Sequence, residues 1–109
     1  MGGGPVTDGG VRVLLYHLAD DAAGIEAAYH EASRRLEGVP GLLGNELLRS
    51  VHAENGFVVV SSWTDLAAFD AWERGAGHKE QTAPLRPYRD LSLDRPFAVY
   101  RVAATHTAS

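Results

Sequence analysis

Pro40-Gly41-Leu42-Leu43-Gly44-Asn45-Glu46-Leu47-Leu48-Arg49-Ser50, then Asn55-Gly56, then Phe57-Val58-Val59-Val60-Ser61-Ser62-Trp63: these residues decide how the chain folds. Two β-rich runs around an Asn-Gly pair predict a hairpin, with strands over Leu42–His52 and Phe57–Trp63 and a type I′ turn at Asn55-Gly56. Side chains alternate across a strand, so Phe57, Val59, Ser61 and Trp63 share one face while Val58, Val60 and Ser62 share the other. Both faces start apolar and end polar, which predicts a wetter region toward Ser61, Ser62 and Trp63. A sheet apolar on both faces needs two covers, and a chain of 109 residues has helices for one. A second copy of the chain is the simplest second cover, so a homodimer is expected.

Working outward, Val11–Leu18 is rich in Val, Leu and Tyr and predicts a mostly buried strand. Asp20 and Asp21 can cap the helix that follows, where Ile25, Tyr29, Ala32 and Leu36 recur at helical spacing. Gly38 ends it and Pro40 prevents its resumption. After the hairpin, Thr64 and Asp65 can cap a second helix with Leu66, Phe69 and Trp72 on one stripe. Gly75 and Gly77 interrupt that helix, and His78–Ala83 can add a turn. Pro84 and Pro87 predict a loop through Asp94, and Phe97–Ala103 a last strand. The order is βαββαβ, the split βαβ pattern of a ferredoxin-like α+β fold with an antiparallel sheet. Residues 11–104 form the expected domain, between a glycine-rich flexible N-terminal arm at 1–10 and a flexible C-terminal tail at 105–109.

Composition narrows the function classes. The chain is 45% apolar and 22% charged with no cysteine, which argues against disorder and leaves no disulfide or thiolate chemistry. It carries a formal net charge of -4, and Arg34-Arg35 is its one adjacent basic pair, so nucleic acid is not an expected partner. No apolar run approaches the roughly 20 residues of a membrane span, so no membrane partner is expected. The start Met-Gly-Gly-Gly-Pro lacks the basic and apolar stretches of a secretory signal. With the missing cysteines, that makes the cytoplasm the expected location. The five histidines are scattered with no helical ligand spacing, and no metal is expected. No glycine-rich phosphate loop joins a strand to a helix.

The Pro40–Arg49 segment, Val60-Ser61-Ser62-Trp63, Phe69-Asp70-Ala71-Trp72 and His78 together resemble the antibiotic biosynthesis monooxygenase family of dimeric α/β-barrel proteins. The resemblance extends over roughly residues 11–102. It implies a homodimer with sheets packed face to face and a pocket between each sheet and its own helices. Relatives include cofactor-independent quinone-forming oxygenases and haem-degrading enzymes. For a haem enzyme the resemblance implies a Trp on the second helix, matched by Trp72, a proximal His, where Thr82 stands, and an Asn on the first strand, where His17 stands.

A cofactor-free oxygenase needs a flat apolar slot, hydrogen bonds that stabilise a phenolate or enolate, and a proton acceptor. Tyr16, Trp63, Phe69 and Trp72 suit the slot, Asn45 can hydrogen-bond a substrate oxygen, and His17 or His78 can take a proton near neutral pH. Each has a structural competitor: Trp63 and Trp72 as core, Asn45 as the partner of a bulge beside Gly44, His78 as a helix cap. Arg49, Arg86, Tyr88 and Arg89 can contact an anion from the rim. The expected function is oxidation of a hydrophobic aromatic, polyketide-like phenol or anthrone by dioxygen without a cofactor. The alternatives are a cyclase or isomerase using the same slot, a haem-binding or haem-degrading protein, and a non-catalytic ligand-binding dimer.

Overall fold

The computed structural model describes residues 10–108. Eight elements follow one another: β1 (Val11–Leu18), α1 (Ala22–Arg35), β2 (Leu42–Arg49), β3 (Gly56–Trp63), α2 (Leu66–Arg74), α3 (His78–Thr82), a 3-10 helix (Ala83–Tyr88) and β4 (Phe97–Arg101). The strands form one antiparallel sheet in the order β2-β3-β1-β4, the ferredoxin-like arrangement. The expected arm lies, up to Gly9, outside the described residues, and so does Ser109 of the tail. No helix among the described residues is long and apolar enough to cross a membrane.

β1 pairs with β3 from Val11↔Trp63 to Leu18↔Gly56. This register places Val11, Val13, Leu15 and His17 on the same face as Phe57, Val59 and Trp63, beneath the helices. Ile25 and Ala32 of α1 pack there with Phe57, Val59 and Leu85, and Phe69 of α2 packs with Val11, Val13 and Trp63. Asp21 stands at the N-cap of α1 without a side-chain cap bond, whereas Asp65 caps α2 by accepting from the Ala68 N–H at 2.8 Å. Trp63, expected at a wet strand end, is among the most buried side chains. Its indole N–H donates to Ser61 Oγ at 2.9 Å, so the serine satisfies the tryptophan instead of drawing in water.

The hairpin forms, but its turn is not type I′. That turn needs positive φ at both central residues, and neither Asn55 nor Gly56 has it. The chain reverses earlier, because Ser50 Oγ accepts from the N–H groups of His52 and Ala53 at 3.1 and 2.9 Å. The Ala53 carbonyl then accepts from Gly56 N–H, and Gly56 opens β3 as an ordinary strand residue. β2 accordingly stops at Arg49 rather than His52, and β4 stops at Arg101 rather than Ala103. The expected Pro84–Asp94 loop begins as a 3-10 helix, whose first turn has no need of a Pro84 N–H. The bulge beside Gly44 is present as a register shift between Leu42 and Gly44.

Gly38 and Gly41 alone among the described residues have positive φ, at 85° and 83°. At Gly41 a Cβ would also overlap that of Ala68 on α2, so this glycine lets the β2 entry lie against the helix. A left-handed backbone costs an alanine about 1–2 kcal/mol by itself. Gly41→Ala should lower unfolding free energy by at least that amount in urea titration. Adding Ala68→Gly should recover only the contact part of the loss.

Candidate functional site

The α2 side of the sheet does not fill completely. Between β1, β4, α2, α3 and the 3-10 helix lies a cavity of about 240 Å³, walled by Val13, Leu15, Phe69, Trp72, Leu85 and Phe97. The side chains that bring chemistry to this apolar space are His17, His78, Thr82, Glu73, Arg86 and Arg89. Apolar walls with a few convergent polar groups are the usual make-up of a small-molecule site.

His17 comes from the buried face of β1 and is 4% exposed. Its Nδ1 lies 3.0 Å from the Leu15 carbonyl oxygen. A carbonyl only accepts, so Nδ1 carries the proton and Nε2 keeps a lone pair. Among the described residues Nε2 makes no hydrogen bond, and no buried side-chain nitrogen or oxygen lacks a partner. The Nε2 edge therefore meets the cavity. Burial holds this imidazole below its ordinary value of 6.5, the Leu15 bond opposes that, and the Arg89 cation adds to the lowering. Near neutral pH the ring is an uncharged base.

Arg89 reaches the site because Arg89 and His17 form an isolated antiparallel bridge, with Asp90 N–H donating to the Tyr16 carbonyl at 3.0 Å. Its guanidinium forms no salt bridge among the described residues, where the ion pairs are those of Glu31 with Arg34 and Arg35. His78 stands at the start of α3, its Nδ1 bonded to the Gly75 carbonyl at 2.9 Å, which leaves its own Nε2 free. It meets the Trp72 ring edge-on at 5.6 Å. The indole N–H of Trp72 donates to Gln81 Oε1 at 2.6 Å.

The cavity thus brings together His17, His78, Phe69 and Trp72, and not the remaining three candidates. Trp63 lies behind Trp72 and Phe69, at 5.3 and 5.5 Å between ring centroids, and supports the wall without lining it. Tyr16 follows the opposite parity to His17 and points to the uncovered sheet face. Asn45 is on the helix side but over a separate groove, where its Oδ1 accepts from Tyr29 at 2.5 Å and from Ser33 at 3.3 Å. Both bonds tie α1 to β2. Phe97, Leu85 and Gln81 were not singled out from sequence; the period-2 run of β4 marks Phe97 as inward only once its register to Leu15 is known.

Haem does not fit the residues present as the resemblance would have it. Thr82, at the position of the expected axial histidine, donates its hydroxyl proton to the His78 carbonyl at 2.9 Å.

Residues 10–82 match the family described as antibiotic biosynthesis monooxygenase. The protein SchA of Streptomyces halstedii is 29% identical over 103 residues, which cover 91% of this chain and 27% of SchA. A mycobilin-producing heme oxygenase of Mycobacterium tuberculosis is 36% identical over 61 residues, covering 50% of this chain and 58% of that protein. The chain therefore spans about a quarter of the one and under two thirds of the other. The solved structure of SnoaB, a cofactor-independent oxygenase from Streptomyces nogalater, superposes with a TM-score of 0.69 at 20% identity, over 88% of this chain and 94% of that one. A conserved protein from Methanosarcina mazei superposes with a TM-score of 0.62 at 15% identity, over 87% and 94%. At such identities the two structures establish the common fold.

The lowered His17 value makes a pH prediction. Below 6.5 the unfolded chain binds a proton at this residue that the folded chain resists. In that window the unfolded state carries more protons, so stability rises with pH, becomes flat above the ordinary value and falls on acidification. His17→Gln should reduce the acid-side loss of thermal midpoint relative to wild type. Superimposable pH profiles for the two proteins would mean the ring is solvated.

Proposed function

Because the chain belongs to the antibiotic biosynthesis monooxygenase family, we propose that it oxidises a hydrophobic aromatic phenol or anthrone, of polyketide type, to a quinone with dioxygen and no cofactor. The observation that carries this reading is one neutral imidazole, its free nitrogen at the edge of a mainly apolar cavity, beside a guanidinium that forms no salt bridge among the described residues. Such a cavity holds a flat ring system between Phe69, Trp72 and Phe97. His17 Nε2 takes the acidic C–H or O–H proton, and Arg89 stabilises the resulting anion. The anion passes one electron to dioxygen, and the radical and superoxide combine to a peroxide that is protonated. Loss of water then leaves one oxygen atom in the new carbonyl and the other in the water. In this reading His78, whose Nε2 is free on the cavity wall, is the second polar contact for the substrate.

The active form is proposed to be a homodimer in the cytoplasm. On the sheet face away from the helices, Leu14, Tyr16, Val58 and Val60 are half-buried, while Leu48 and Tyr100 are 45% and 58% exposed. An antiparallel sheet with a largely apolar uncovered face is suited to packing on its own copy. Val60→Asp, in the middle of that face, should give a folded chain that sediments as a monomer. A dimer persisting at micromolar concentration would remove the proposed interface.

Oxygen consumption matched to quinone formation from anthrone, in metal-chelated and flavin-free buffer, is the direct test of the reaction. His17→Gln should lower kcat by about 100-fold, within the range of general bases, with little change in binding. Unchanged turnover under strict anaerobiosis would instead assign a cyclase or isomerase to the same cavity. Binding without turnover in either atmosphere would assign a carrier.

A further inference from the structure

The Trp72 indole separates two spaces. On one side is the cavity just described. On the other is an open, mainly apolar groove of about 520 Å³ between α2 and the α1–β2 connection, lined by Val39, Gly41, Ala68 and Ala71. Among the described residues, Trp72 and His78 alone line both. His78 touches the indole only edge-on. On the protein side the indole leans on Trp63 and Phe69, at 5.3 and 6.0 Å between centroids. Packing of this kind limits movement toward the core but does not prevent the half-buried ring from swinging outward.

What holds the ring across the opening is its one polar tie, the 2.6 Å bond to Gln81 Oε1. Gln81 is itself anchored, donating from Nε2 to the Arg35 carbonyl at 3.3 Å, at the last residue of α1. The glutamine thus bridges two helices and sets the position of the indole between them. It has no contact with the cavity itself.

We propose that Gln81 is a specificity-determining positioning residue: by fixing Trp72 as a wall, it sets the longest planar molecule the cavity admits. With the tie intact, a ligand ends at the indole. With it released, the ring can move aside and the far end of a longer fused-ring ligand can enter the groove over Ala68 and Ala71. Gly41 lies directly against Ala68 at the edge of that groove, where no Cβ would fit. This inference rests on the reading of the cavity as a site for planar aromatic molecules.

The test is calorimetric binding of three probes of increasing length, 1-naphthol, anthrone and a tetracyclic naphthacenone, to wild type and three variants of the full chain. A hydrogen bond of net worth about 0.5–1.5 kcal/mol corresponds to a change of roughly two- to thirteenfold in affinity. Gln81→Leu should therefore raise the affinity for the tetracycle by roughly two- to thirteenfold, with 1-naphthol unchanged. Gln81→Glu keeps an acceptor for the indole N–H but loses the N–H that donates to the Arg35 carbonyl, so it should recover part of the wild-type length limit, which a loss of helix packing alone would not do. Trp72→Ala should admit the tetracycle more strongly still while weakening 1-naphthol. Equal changes for all probes, failure of Gln81→Glu to recover any of the limit relative to Gln81→Leu, no gain of the tetracycle in Trp72→Ala, or no binding of any probe would each overturn the proposal. A Gln81-dependent length limit without oxygen uptake would remove the oxygenase reading and leave this one standing. Oxygen uptake with a length limit indifferent to Gln81 would do the reverse.

Discussion

The register of β1 against β3 is the constraint on which the molecule depends. With Val11 opposite Trp63 and His17 opposite Phe57, every side chain needed by the core or the cavity lies on the helix side. Strand side chains alternate with a period of two, so a slip by one residue would send them all to the other face. Val13, Leu15 and His17 would leave the cavity together, and Arg12, Leu14 and Tyr16 would replace them. The apolar payload resists such a slip from one side only, because the opposite face is nearly as apolar. A polar residue breaks the tie: Arg12 is tolerated on the uncovered face and would be buried unpaired beneath the helices.

Two polar ties then fix the helices over the sheet. Tyr29 and Ser33 hold α1 to Asn45 of β2, and Gln81 joins Trp72 of α2 to the end of α1. Between them the core divides into one cluster around Ile25 and Val59 and another around Trp63 and Phe69. The cavity lies between the two clusters and is walled by members of both. Its floor is β1, the strand shared by both, which explains why an ordinary strand position carries the proposed base.

Much of this was legible in the residues. The βαββαβ order, the strand at Val11–Leu18, the Asp65 cap and the bulge beside Gly44 follow from local patterns whose physics is local. What failed depends on distant partners. Asn55-Gly56 has the composition of a type I′ turn, but the Ser50 hydroxyl captured the backbone two and three residues on and moved the reversal. Trp63 looked wet because Ser61 shares its face, yet that serine is the partner its indole needs in the core. Tyr16 and His17 are adjacent, and nothing in an imperfectly alternating strand says which of them faces inward. Only the pairing with β3 and the helices decides it, in favour of His17.

The proximity of Arg89 to His17 poses an apparent conflict for the proposed reaction. The cation lowers the proton affinity of the imidazole, which weakens it as a base. Proton transfer from a phenol or anthrone, however, creates an imidazolium and an organic anion at once, and the same guanidinium repels the first while attracting the second. Which effect wins is decided by distance. An anionic oxygen closer to Arg89 than the imidazole is gains more than the imidazole loses, and the apolar walls enlarge both by excluding water. His17 is held on the floor by Leu15, whereas Arg89 lies on the segment that crosses the end of β1. A ring system inserted between Phe69 and Phe97 with its oxygen toward that segment satisfies the condition. A ring system turned the other way round does not. The cation would then select among orientations of the substrate as well as stabilise its anion, and a substrate with oxygen at one edge only is the kind on which that selection has most effect.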